Sequence, residues 1–392
     1  MIDAPPYPSS PPDALLGDAA ARFGTPLYLY DLAAITAQVE RVRQAFPVAE
    51  LFFAVKANPC GAVLRHLANL GLGAEVISEG ELARALRAGI PPERILLGGP
   101  RQDAGLTEAA KAAQINWVSL DSTSQAESWL QNPAAINAAT KFLVRLNPAL
   151  DPRTHEHLAT GAAGSKFGMS FAETVHVAER LGERLAGFHV HIGSQISEMS
   201  PYDEVFRQLR ALLERFPHVT TLDLGGGFAV PDFPLAAFAT KVAPFVGTRR
   251  LLLEPGRFLV AASGTLLTRV LHVKDGPVKH LICDAGMADL LRPALYGAHH
   301  PIRSLGKDGP LETVDVDGPL CENADRLGRG VQLPEVGPGD LLAVSEAGAY
   351  GLSMSSRYAS SLRPAEAVLS EGQVRLVTER ETVEDLWRLE CE

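Results

Sequence analysis

The sequence predicts an α/β fold, a (β/α)8 barrel of the TIM type, followed by a C-terminal all-β domain of barrel-like or sandwich-like form. Three observations predict it. The chain has 392 residues, beyond the roughly 250–300 at which a single hydrophobic core stops growing, so it should divide into domains. From about residue 50 to residue 254, eight short apolar runs alternate with stretches of helical period, as a parallel barrel requires. After about residue 265 the helical period nearly vanishes and apolar stretches are separated by turn residues, as in a β domain.

The elements follow in order. Residues 1–12 are rich in Pro and Ser and read as a mobile arm, and the apolar segment Pro26–Tyr30 reads as an extra strand joining the β domain. The eight runs are Leu51–Lys56, Gly73–Ile77, Arg94–Leu97, Asn116–Leu120, Lys141–Asn147, Gly187–Ile192, Thr220–Leu224 and Arg250–Glu254, bounded by Gly, Pro, Asn or Asp. Gly80–Arg87, Ala172–Leu181 and Tyr202–Phe216 carry the amphipathic period of helices. An open doubly wound sheet would place a Gly-rich dinucleotide turn after its first strand, and no such turn follows Lys56. In the β domain, Thr265–Val273, Val278–Cys283, Leu311–Val316 and Asp340–Val344 read as strands. The expected division is 1–30 for the arm and joining strand, 31–264 for the barrel and 265–392 for the β domain.

Composition narrows the classes. Hydrophobic residues make up 46% and charged residues 21%, which is a folded, soluble composition. The net charge is −10 and the basic residues are scattered, so no nucleic-acid footprint is present. Cys60, Cys283, Cys321 and Cys391 are too few and too far apart for a disulfide framework or zinc cluster. The start, Met1 to Pro6, has neither the basic opening nor the apolar stretch of a signal peptide or membrane anchor, so a cytoplasmic protein is expected.

Barrel chemistry is carried at the C-terminal ends of strands, and four runs end on reactive or specialised residues: Lys56, His191, Gly225-Gly226-Gly227 and Glu254-Pro255-Gly256-Arg257. Lys56 follows Phe52-Phe53-Ala54-Val55. There its amine would be partly desolvated and suited to forming an imine with a carbonyl, or it would snorkel from a strand end. The three glycines can cradle a phosphate on backbone N–H groups, or make a tight turn. Glu254 ends the apolar Leu251-Leu252-Leu253 and needs a partner there. A pyridinium N–H would serve, as would an ion pair with Arg257 or Lys56. His189 and His191 face the same way on one strand. A His-x-His pair can begin a metal site, but no later His or Asp is found at the other strand ends to complete three ligands, so no metal is expected. His191 is read instead as a ring stacked on the cofactor and His189 as buried.

These residues resemble the fold-type III pyridoxal-phosphate decarboxylases, which pair a (β/α)8 barrel with a β domain. Ala54-Val55-Lys56-Ala57-Asn58, His189 to Ser194, Gly225-Gly226-Gly227-Phe228 and Glu254-Pro255-Gly256-Arg257 occur in the family's order. Asp284-Ala285-Gly286-Met287, Arg292-Pro293-Ala294-Leu295-Tyr296, Gly318 to Glu322 and Glu346 to Ser355 are similar to its diaminopimelate-decarboxylating branch. The resemblance implies that pyridoxal 5′-phosphate is bound to Lys56 through an imine, stacked by His191 and contacted at its ring nitrogen by Glu254. It implies phosphate contacts from Ser194, the Gly225–Gly227 loop, Gly256, Arg257 and Tyr350. Arg257, Arg292 and Tyr296 would bind the substrate's distal carboxylate, and Glu322 its distal ammonium, with Tyr350 also beside the substrate. Cys321 would reprotonate the α-carbon from the neighbouring subunit, making the enzyme a homodimer with shared sites. The reaction implied is decarboxylation of meso-2,6-diaminopimelate to L-lysine and CO2. The alternatives are a decarboxylase of another amino acid such as D-ornithine, D-lysine or a carrier-linked acyl amino acid, an α-carbon racemase, and a catalytically silent pyridoxal-phosphate-binding protein. Two departures stand out: Gly98-Gly99-Pro100-Arg101-Gln102 differs from the family's usual loop after the third strand, and Asn323 replaces a usual Ser. Lys166 is given no role beyond a solvated or loop-anchoring one.

Overall fold

The computed structural model describes residues 10–131, 136–150, 160–162 and 164–391, so nearly all of the arm at 1–12 lies outside the described residues. One compact unit holds Val39–Phe258, and the other holds the described chain up to Gln38 together with that from Leu259.

In chain order the strands are β1 (Leu27–Asp31), then β2 (Ala49–Ala54), β3 (Gly73–Val76), β4 (Ile95–Leu97), β5 (Trp117–Leu120), β6 (Lys141–Arg145), β7 (Leu185–His189), β8 (Thr221–Asp223) and β9 (Arg250–Leu253). The last eight form a closed barrel, every neighbouring pair parallel, sealed where Ala49, Glu50 and Leu51 pair with Leu251, Leu252 and Leu253. Phe52, Leu96, Trp117, Leu143, Ala186 and Leu252 form a buried apolar cluster contributed by six of these strands. Each such side chain removed from water contributes roughly 1.5–3 kcal/mol. Helices between strands begin where the sequence supplies caps: Ser78 accepts from Glu81 N–H ahead of helix Glu79–Arg87, and Ser170 with Glu173 makes a capping box ahead of helix Phe171–Leu181.

The second unit adds β10 (Gly264–Lys274), β11 (Lys279–Cys283), β12 (Ile302–Ser304), β13 (Glu312–Asp317), β14 (Arg326–Leu333), β15 (Leu341–Val344), β16 (Ala365–Ser370) and β17 (Gln373–Thr378). With β1 they form a nine-stranded sheet in which β1 runs antiparallel to β10 on one side and parallel to β16 on the other. Helix Asp13–Phe23 buries Leu16, Ala19 and Ala20 against Leu27, Leu29, Leu267, Ala343 and Ala367.

All eight barrel runs and the joining strand form, but three strands stop two or three residues earlier than expected: β2 at Ala54, β6 at Arg145 and β7 at His189. Lys56 lies beyond β2, in the single 3-10 turn Val55–Ala57. The turn forms because Asn58 donates its N–H to Val55 O at 3.0 Å while its side chain accepts from Cys60 N–H. Likewise β7 ends at His189, and His191 lies in the following loop. In the β domain, β12, β14, β16 and β17 were not anticipated. β14 contains Gly328 and Gly330, and its pairing with β13 shifts register, which blurs the period-two pattern. Among the described residues no helix is long and apolar enough to cross a membrane.

Candidate active site

Lys56 leaves the barrel strand on its 3-10 turn and places Nζ 2.5 Å from Glu75 Oε2, with the lysine side chain 38% exposed and Glu75 buried on β3. The lysine is partly exposed and at the same time paired with a buried carboxylate. Sequence reasoning missed Glu75 because it stands inside an apolar run, although a lone buried carboxylate there was itself a signal. The departing Gly98 loop lies against the same group, since a Cβ on Gly98 would sit 3.1 Å from Glu75 Oε1. That loop is anchored by buried Gln102, which donates to Ser119 O at 2.7 Å and accepts from Trp129 Nε1–H at 3.0 Å.

Three buried groups meet at neighbouring strand ends: His189 on β7, Asp223 on β8 and Glu254 just after β9. His189 pairs its Nδ1 with Ser119 Oγ at 2.7 Å, and its Nε2 stands 3.8 Å from Glu254 Oε2. Burial first, then the charge of Asp223, holds the Glu254 carboxyl well above the usual range. Burial likewise pushes Asp223 up to about 6, so the pair as a whole favours holding a proton more than either acid would alone. Glu254 Oε1 and Asp223 Oδ2 are buried and receive no N–H or O–H from the rest of the protein, while the two side chains lie within hydrogen-bonding reach of each other. Of the two partners considered for Glu254, Lys56 pairs with Glu75 and acts on Glu254 through its charge, and Arg257 donates to Ser194 Oγ at 3.4 Å.

The expectation that no Asp completes a three-ligand set with the His-x-His strand is corrected by Asp223. The ligand atoms of His189, Asp223 and Glu254 lie within 4.8 Å of one another. The sequence hid Asp223 one residue inside the run ending at Leu224. Burial raises both carboxyls, which suits a partner that shares a proton with them. An orphan carboxyl oxygen carrying a shareable proton fits a pyridine nitrogen, which exchanges one proton with it.

The glycine triplet packs beneath this pair. A Cβ on Gly225 would be 2.7 Å from His191 Nδ1, one on Gly226 2.3 Å from Glu254 O, and one on Gly227 2.2 Å from Gly193 O. Only glycine permits those approaches. Gly225 donates its N–H to Asp223 Oδ1 at 2.9 Å and Gly226 to His191 Nδ1 at 3.1 Å. Those two N–H groups therefore position neighbours, and an anion would be met at the Gly227 and Ser194 end of the loop. Accepting from Gly226 places the proton of a neutral His191 on Nε2. Burial, then the charges of Arg145 and Lys56, push its pKa down to about 3, so the ring is neutral. Arg145 is itself held by buried Asp121 at 2.9 Å. Gly256 abuts Ala54 and Ala57, and a Cβ on it would sit 3.1 Å from Ala54 Cβ, tighter than an ordinary contact. A cradle that side chains would fill, a flat neutral ring and an orphan acid all fit a phosphorylated pyridine ring. Lys166 stacks over Phe167 at 5.3 Å, consistent with an anchoring role.

In the second unit, Arg292 and Tyr296 share the short helix Arg292–Tyr296, and Tyr296 is 65% exposed. Arg292 Nη1 meets His300 Nε2 at 3.0 Å. Cys321 is exposed, and Glu322 accepts from Tyr358 OH at 2.8 Å. Cys321 and Glu322 line a cavity of about 250 Å3 with His280 and Asp325. Buried Asp325 accepts from Met287 N–H at 2.5 Å and Leu320 N–H at 2.6 Å, tying the segment before Arg292 to the loop carrying Cys321. Tyr350 holds a left-handed backbone with φ of 56°, uncommon for a tyrosine and typical of residues fixed for function. Asn323 is exposed.

Comparison with known proteins gives one coherent picture. The family described as pyridoxal-dependent decarboxylase, pyridoxal binding domain, matches residues 32–261. A diaminopimelate decarboxylase of Deinococcus radiodurans is 42% identical, covering 96% of this chain and 98% of its own. One from Zymomonas mobilis is 36% identical over 96% and 95%. The crystal structure of diaminopimelate decarboxylase from Helicobacter pylori, complexed with L-lysine, superposes with a TM-score of 0.89 at 33% identity over 96% and 99% of the two chains.

Proposed function

Because the chain belongs to the pyridoxal-dependent decarboxylases, we propose that it removes the α-carboxylate of meso-2,6-diaminopimelate, releasing L-lysine and CO2. It is a carboxy-lyase using pyridoxal 5′-phosphate. The observation that carries the chemistry is the buried acid pair Asp223 and Glu254, whose Glu254 Oε1 receives no N–H or O–H from the protein. Bound pyridoxal phosphate supplies an electron sink for the pair left when CO2 departs.

The chain's own residues do the rest. Lys56 would hold the cofactor covalently, and Glu75, 2.5 Å from its amine, would orient that amine. Asp223 and Glu254 would hold a proton at the ring nitrogen, which would keep the ring electron-poor. His191, neutral and fixed by Gly226, gives a flat uncharged floor. Gly227, Ser194, Gly256, Arg257 and Tyr350 take the phosphate. Arg257, Arg292 and Tyr296 take the distal carboxylate, a task suited to planar guanidinium groups, and Glu322 takes the distal ammonium. Cys321 returns a proton to the α-carbon from a partner subunit. Its exposure, with that of Leu295 and Tyr296, supports a homodimer in which these surfaces are covered. The barrel limits are taken as 31–264 and the β domain as 265–392, in a cytoplasmic enzyme.

The test is CO2 release measured side by side on meso- and LL-diaminopimelate, lysine, ornithine and arginine. The expected result is preference for meso-diaminopimelate. Preference for a substrate with no distal carboxylate overturns the roles of Arg292 and Tyr296. Lys56→Ala should abolish the visible absorbance that borohydride removes from the native enzyme.

A further inference from the structure

His300 is 3% exposed and sits between two groups that fix its chemistry. Nδ1 lies 3.0 Å from the carbonyl oxygen of Ser345, and Nε2 lies 3.0 Å from Arg292 Nη1. A carbonyl oxygen only accepts, so Nδ1 must carry the proton. A guanidinium only donates, so Nε2 must present its lone pair. The ring is therefore neutral and held in one tautomer. A second proton would turn Nε2 into a donor pointed at a cation.

Its anchor is regular structure. Ser345 donates its N–H to Pro301 O at 2.8 Å, which prolongs the ladder in which Ile302, Arg303 and Ser304 of β12 pair with Val344, Ala343 and Leu342 of β15. The imidazole adds the next rung through Ser345 O. Arg292, in contrast, begins a helix of five residues that ends at Gly297 in the left-handed region. Such a short helix cannot by itself fix a long side chain.

We infer that His300 is the positioning residue for Arg292, transmitting the rigidity of the β12–β15 ladder to the guanidinium that selects substrates with a second carboxylate. The inference rests on Arg292 binding that carboxylate, as proposed above. It assigns His300 no contact with the reacting atoms, so its loss should affect recognition and leave the chemical step alone.

Two amides separate the ring's bonds, because an asparagine amide reaches the Nδ1 position and a glutamine amide the Nε2 position. His300→Asn keeps the bond to Ser345 O and loses the acceptor for Arg292. His300→Gln keeps that acceptor. In the holoenzyme, His300→Asn should raise KM for meso-diaminopimelate about tenfold or more, the scale of one lost charge-assisted hydrogen bond. Its kcat and visible cofactor band should stay within about twofold, and His300→Gln should restore most of the KM. Independently, nitrogen-15 NMR of histidine-labelled native enzyme should show His300 protonated at Nδ1 and bare at Nε2. An Nε2-protonated or doubly protonated ring overturns the inference, as does an unchanged KM in His300→Asn when Arg292→Gln raises it. If Arg292→Gln itself leaves KM unchanged, the reading of Arg292 fails, and the role given to His300 falls with it.

Discussion

Two buried carboxyls, Asp223 and Glu254, set the proton inventory of the site. An acid whose folded pKa is raised contributes no penalty below its unfolded value, and stability is lost as pH rises through the folded value. For Asp223 that window runs from its ordinary 3.8 to about 6, a span on the order of 2–3 kcal/mol. Asp223→Asn keeps an acceptor for Gly225 N–H and removes the charge. The cofactor-free variant should therefore melt several degrees higher than the native cofactor-free protein at pH 7–8 and match it near pH 4. Cofactor affinity should fall, because Glu254 loses the neighbour that keeps its proton. Thermal melts across pH and cofactor titrations decide this; a midpoint difference that is flat in pH removes the shared proton. At this scale much of the site was legible. Lys56, His191 and Glu254 announce themselves as polar residues where apolar runs stop. Asp223, Glu75 and Asp325 were not, because each lies inside a run or beyond a motif and acts through a partner that only folding supplies.

At the scale of elements, two turns do the positioning. Gly226 passes so close to Glu254 O that Gly226→Ala must push the end of β9 aside. Cofactor affinity should weaken at least tenfold, with about 2–4 kcal/mol lost in stability, measured by titrating the visible band and by denaturant melts. Cofactor binding unchanged in this variant would dismiss the close approach as a constraint. Asp325 joins the turn before Arg292 to the loop of Cys321 through two backbone N–H groups. Asp325→Ala should cost roughly 2–3 kcal/mol by stranding those donors and should change the rate at which a thiol reagent labels Cys321. The barrel strands were readable because buried parallel strands are simple apolar runs between turn residues. β14, β16 and β17 were less so: pairing irregularities and alternating Ala, Glu and Arg leave a weak signal that only neighbouring strands resolve.

For the whole molecule, the proposed sharing of sites has a quantitative consequence. Lys56→Ala and Cys321→Ala should each be nearly inactive. Mixed and allowed to exchange subunits, they should recover about one quarter of native activity, since half the dimers become hybrids and each hybrid retains one intact site. Activity measured before and after mixing tests this, and no recovery despite demonstrated exchange argues that each chain uses its own cysteine.

The placement of β1 carries a consequence for how the chain comes into being. Among the described strands it is the first to be synthesised, yet its two neighbours are Gly264–Lys274 and Ala365–Ser370. The contiguous segment between, closed when Arg250–Leu253 meets Ala49–Leu51, can complete its barrel during synthesis. The strand with apolar Leu27 and Leu29 must wait for Gly264–Lys274 to cover one side and for Ala365–Ser370 to cover the other. A nascent chain stalled before residue 365 would leave one side of β1 as an exposed edge, the form most open to pairing with another copy. Truncation near the C-terminus should thus produce aggregation and not simply a shorter enzyme.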